Sequence, residues 1–155
     1  MDWNRAAFWG IAAGVSLAMF LARKALLRFF SPDSYSRDPY GFLVNQVSHL
    51  ALGIAMILCI ALAGYWTQGE YPYRWEMWGI AAGLILQFEL TVQRWSGSDT
   101  VHDVLFMAGY GAGGAALTFH EATPGLLTLT GDPITAVGIA AIAALHLAVG
   151  IARRV

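Results

Sequence analysis

The stretch GFLVNQVSHLALGIAMILCIALAGY, residues 41–65, decides the class of this chain: it contains no Asp, Glu, Lys or Arg. Crossing the hydrocarbon of a bilayer takes about 20 apolar residues, so this segment is long enough to span one. It also carries Asn45, Gln46 and His49 close to its start. Lipid offers such groups no hydrogen bonds, so they must find partners inside a bundle or in a water-filled cavity.

Working outward, four more apolar stretches are readable. The spans fall at about 6–22 (continuing as a basic amphipathic stretch to Phe30), 41–65, 75–95, 100–119 and 133–152. Breaks between them carry turn chemistry: Ser31-Pro32-Asp33, Pro39, Gly69 to Pro72, Ser96-Gly97-Ser98-Asp99, and Asp132-Pro133, an N-cap followed by proline. Trp66, Tyr71, Tyr73, Trp75 and Trp78 gather at one interface, and Tyr35, Tyr40 and Trp95 at the other. The chain is 57% hydrophobic and 12% charged over 155 residues, which is the composition of an all-α polytopic membrane protein with one domain, residues 1–155. A net charge of -1 argues against nucleic acid as a partner. The lone cysteine, Cys59, excludes an internal disulfide. The amino-terminal stretch reads as a span and not as a cleaved leader.

Seven of the nine basic residues, Arg23, Lys24, Arg28, Arg37, Arg94, Arg153 and Arg154, fall on one side of this arrangement, leaving Arg5 and Arg74 on the other. The positive-inside rule then places the amino terminus outside and the carboxy terminus in the cytoplasm.

With that topology, Asn45, Gln46, His49, Gln87, Glu89, Gln93, His102 and Asp103 all map to the cytoplasmic half of the bilayer. A central Asp costs roughly 2.5 to 3.5 kcal/mol on insertion scales. His49, Glu89 and Asp103 come from three helices at similar depth, and Asn45, Gln93 and Asp99 lie one turn from them. Gln46 shares the His49 side, and Tyr110 stands about two turns beyond Asp103, near its face. The bland alternative is a buried carboxylate–imidazole pair that only locks packing. His146, in the fifth span, reads as structural.

Small residues recur as Gly10 with Gly14, Gly79 with Gly83, and Gly109 with Gly113, the spacing of close helix-packing faces. The hexapeptide WGIAAG occurs at residues 9–14 and again at 78–83, both in spans that run the same way. The offset between them does not align the second span with the fourth, so it is read as coincidence.

The order Asn45-x3-His49-x3-Gly53, Glu89-x3-Gln93, and Asp99-x3-Asp103 before the glycine-rich 109–114 resembles the VanZ-like membrane proteins and the related YjdF-like family. The resemblance covers about Asn45 to Ala116. It implies a small multi-pass protein of the bacterial inner membrane with a site at His49, Glu89 and Asp103. Some relatives are associated with glycopeptide-antibiotic tolerance, and the resemblance implies no particular reaction. Asp is common in the family where Asn45 stands, and an asparagine is usual near Met107; this chain departs at both.

Four functions compete. The first is a cavity that binds a lipid headgroup or a cation. The second is an accessory or self-assembling subunit of a larger membrane complex, in contact with other subunits or with its own copies. An intramembrane metal enzyme would use His49, Glu89, His102 and Asp103, which are acceptable ligands for zinc or manganese, but no H-E-x-x-H spacing is present. A haem or pigment protein would use His49 and His146 as axial ligands. The reading leans away from an enzyme, and no cofactor is expected outright.

Overall fold

In a computed structural model, residues 3–29, 39–95 and 97–121 are described; the fifth expected span, with His146, lies outside them. The described residues are all-helical and contain no strand. Helix α1 runs Trp3–Phe29, α2 Pro39–Gln68, α3 Arg74–Thr91 and α4 Ser98–Val104. A π-helical stretch, Leu105–Gly113, follows α4 without a break and leads into α5, Gly114–Glu121. Among the described residues two helices, α1 and α2, are long and apolar enough to cross a membrane.

Local chemistry explains the ends. Pro39 opens α2, where its missing N–H removes no intrahelical bond. Gly69, at φ 76°, closes it and donates its N–H to the Tyr65 carbonyl at 2.9 Å, the left-handed cap that glycine adopts at little penalty. At the start of α3 the Tyr73 N–H donates to Glu76 Oε2 at 3.3 Å, half of a capping box.

The third expected span runs past the end of its helix. Arg94 and Trp95 both take positive φ, 58° and 55°, and the Trp95 N–H reaches back to the Glu89 carbonyl at 3.0 Å. This closure spans seven residues, one more than the common glycine cap, and it needs two consecutive left-handed residues to turn the chain back on the helix end. It costs about 1 to 2 kcal/mol per non-glycine residue held there, and it takes Gln93 off the helix that was expected to carry it.

Helices α1 and α3 run in the same direction. Arg5 Nη2 donates to Glu76 Oε1 at 2.7 Å. Three turns further along, Ser16 Oγ donates to Gln87 Oε1 at 2.7 Å and Gln87 Nε2 donates to the Ser16 carbonyl at 2.9 Å. Both pairs are separated by 71 residues, so the register holds over that length.

The centre of the bundle is the crossing of α2 with the π-helical stretch. A Cβ on Gly53 would overlap the Met107 carbonyl and stand 2.7 Å from the Ala112 nitrogen, and one on Gly111 would press on the Leu50 carbonyl. Only glycine lets the two backbones approach so closely. Above the crossing, Ile57, Ala61, Met77, Ala81, Ala112 and Ala116 form one buried cluster. Below it Ile85 packs with Met107 and Ala108.

The glycines expected to pack helices behave differently. Gly10, Gly14, Gly79 and Gly83 have nothing within 4 Å of a built Cβ, so among the described residues these faces are open. Gly109 is approached only by its own neighbour Leu105, while Gly113 abuts the Trp78 indole. Close approach needs both the small residue and a partner surface, and α1 and α3 meet through their polar pairs instead.

Candidate functional site

Asp103 stands on the last turn of α4 and is 2% exposed. Three side chains of α2 converge on a single one of its oxygens, Oδ1. Asn45 Nδ2 donates at 3.5 Å, Gln46 Nε2 at 3.4 Å, and His49 Nδ1 lies 2.8 Å away. Residues 45, 46 and 49 share one helix face, since three to four residues make a turn. The His49 contact has the length of an ion pair, but the ring nitrogen is not aimed for a hydrogen bond. The two atoms are thus in close polar contact without a formed hydrogen bond.

Helix α3 supplies the other carboxylate. It runs antiparallel to the α4–π–α5 run: Trp78 Nε1 donates to the Ala108 carbonyl at 2.9 Å, and Ile85 packs on Met107 and Ala108. Four residues onward on α3 and four residues back from Met107 bring Glu89 and Asp103 to one level. Glu89 is fully buried, and so is Thr100, one turn before Asp103.

Two buried amide oxygens at this end lack a hydrogen-bond donor. Gln46 is 2% exposed, its Nε2 is committed to Asp103, and its Oε1 has no hydrogen-bond partner. Gln93, just past the end of α3, likewise has a buried Oε1 without a partner. With the Asp103 carboxylate and two amide oxygens that lack donors, this end is chemically suited to a cation.

The remaining expected residues are placed as follows. Gln87 belongs to the α1–α3 contact with Ser16 and not to this cluster. Tyr110 is 60% exposed and meets Phe106 edge-on at 5.6 Å. In an α-helix the seventh residue after Asp103 would return to its face, but a π-helical stretch spends more residues per turn and rotates Tyr110 outward. His102 is half-buried beside Asp103 in sequence, about 100° around the helix from it. Asp99 lies on the first turn of α4, its side chain outside the described ones. Among the described residues no three of His, Cys, Asp and Glu come together as metal ligands. Of the expected set of His49, Glu89, His102 and Asp103, the structure brings His49 and Asp103 together but gathers no three of them around one point.

Sequence reasoning overlooked three participants. Ser48 is buried and donates to the Asn45 carbonyl at 2.9 Å, Thr100 is buried beside Asp103, and the Trp78 indole ties α3 to the π-helical stretch. Ser48 and Thr100 had a signal, being small polar residues one position or one turn from the charged ones; Trp78 was hidden in the aromatic belt.

No family model, no curated protein and no solved structure matches the chain.

Proposed function

We propose that this chain is a multi-pass membrane protein whose Asp103 cluster binds a cation, either an inorganic monovalent ion or the ammonium of a lipid headgroup. The observation that carries the reading is the buried Gln46: one end of its amide is held by Asp103 and the other end is an acceptor without a partner. Buried acceptors are rarely left so, and a cation or an ammonium donor satisfies them.

Several observations support the membrane setting. Of the apolar stretch of α1 only 6% is buried, and of α2 only 28%. Trp9, Ile11, Val15, Leu17, Phe20 and Leu21 all stand exposed on α1, a surface that water would not tolerate but lipid does. In this reading there are five spans, the amino terminus is outside, and the site opens toward the cytoplasm of a bacterial inner membrane. The motif order from Asn45 to Ala116 makes kinship with the VanZ-like proteins part of the same proposal.

The test is thermal unfolding of protein in nanodiscs at constant ionic strength, with choline chloride replaced stepwise by sodium, potassium or ethanolamine chloride. A saturable rise in midpoint for one of these, lost in Asp103→Asn, supports the site. Identical responses of wild type and variant to every salt reject it.

A second reading, self-assembly, is favoured by the open faces at Gly10, Gly14, Gly79 and Gly83. Native mass spectrometry of the intact protein distinguishes it: a single-copy species in gentle detergent rules it out.

A further inference from the structure

At the opposite end of α3 from Glu89, a groove of about 380 Å³ lies between the start of that helix and the π-helical stretch. Arg74, Trp75, Trp78, Tyr110, Gly109 and Gly113 line it, and it continues over Gly114 and Leu117. Its volume is that of a small-ligand site, and its floor is hollow for a simple reason. A Cβ at Gly109 or Gly114 would meet almost nothing, only Leu105 at 3.7 Å from the first.

The mouth of the groove carries an uncompensated charge. Glu76, the neighbouring acid, is already paired with Arg5 at 2.7 Å. Glu70 in the preceding turn is exposed, and among the described residues no carboxylate lies within ion-pair distance of Arg74. The Arg74 guanidinium lies 5.2 Å from the Trp75 ring centroid, a cation–π contact that orients the fork without neutralising it. A guanidinium matches a phosphate with two parallel hydrogen bonds. Tryptophan and tyrosine rings are at home where hydrocarbon meets headgroups.

We infer that this groove is a binding site for an anionic phospholipid, its phosphate on Arg74 and one acyl chain lying over Gly109, Gly113 and Gly114. The site is separate from the Asp103 cluster, and it rests on the membrane setting proposed above but not on the cation. An anionic lipid is selected because a zwitterionic one brings its own cation to compete with Arg74.

The experiment has two parts, both on the full chain. Flotation with phosphatidylcholine vesicles establishes membrane association by itself. Native mass spectrometry of delipidated protein then compares retention of phosphatidylglycerol with that of phosphatidylcholine of the same chains. We expect one phosphatidylglycerol retained with about tenfold preference, the factor that ~1.4 kcal/mol represents. Arg74→Gln erases the preference and Arg74→Lys keeps part of it. Gly114→Leu, whose Cβ meets nothing within 4 Å, lowers retention of both lipids while circular dichroism stays unchanged. Equal retention of the two lipids by wild type, or an undiminished preference in Arg74→Gln, overturns the inference alone. Protein that stays soluble without detergent and floats with no vesicle overturns the membrane setting as well.

Discussion

His49 of α2 and Asp103 of α4 are held 2.8 Å apart, Nδ1 to Oδ1, across a helix crossing that glycine makes narrow. Asp103 is buried and His49 partly so, with side-chain exposures of 2% and 12%, and the Asp103 oxygen is shared with Asn45 and Gln46. A contact so placed is coupled to the crossing itself: anything that pushes α2 away from the π-helical stretch loosens the site.

That coupling is measurable. His49→Ala and Asp103→Asn, alone and together, form a double-mutant cycle with an expected interaction energy of roughly 1 to 3 kcal/mol. Unfolding in mixed micelles by denaturing detergent reads it. Effects that simply add, within a few tenths of a kcal/mol, would show that the two residues act independently.

Gly53→Ala places a methyl against the Met107 carbonyl, a backbone atom that cannot swing aside. We expect a loss of about 1 to 3 kcal/mol. Gly10→Ala and Gly79→Ala meet nothing and are expected to be neutral or to stabilise by up to ~1 kcal/mol through helix propensity. Thermal midpoints of the three variants check the order; a Gly53→Ala as stable as wild type would refute the close crossing.

The reciprocal bonds between Ser16 and Gln87 are expected to couple by roughly 0.6 to 1.7 kcal/mol, the range for hydrogen bonds between membrane helices. A cycle with Ser16→Ala and Gln87→Ala measures this. Zero coupling would mean that α1 does not dock on α3 in this register.

Tyr71, in the turn between α2 and α3, stacks on Tyr65 at 5.1 Å. Burial first, and Tyr65 second, push its hydroxyl above the ordinary value of 10.0. Because the folded state then holds the proton to higher pH than the unfolded one, its contribution is complete below about pH 10 and declines as pH rises through the folded value. Ultraviolet titration should show one tyrosine ionising late, and Tyr71→Phe should remove that step. If the late step persists in the variant, another tyrosine is responsible.

The helical class was legible because long uncharged runs such as 41–65 admit no other backbone in an apolar setting. Much of the polar inventory was legible for the same reason: Asn45, Gln46, His49, Glu89 and Asp103 stand out against apolar neighbours. Gln87 stood out equally, yet it faces α1. Depth along a helix can be counted from sequence, but direction around it cannot when every side is apolar and no stripe marks the buried face.

What the sequence by itself determined, then, is the helical class of the described residues and which polar groups need partners. Only the tertiary structure decided who those partners are. Gly53 and Gly111, and not the regularly spaced Gly10, Gly14, Gly79 and Gly83, form the close crossing. The π-helical stretch turns Tyr110 outward, and Arg94 and Trp95 end α3 before Gln93. The physical reason is common to all three: a helix's azimuth and end are set by its neighbours' shape and by which backbone bonds close, and those are properties of the assembled bundle.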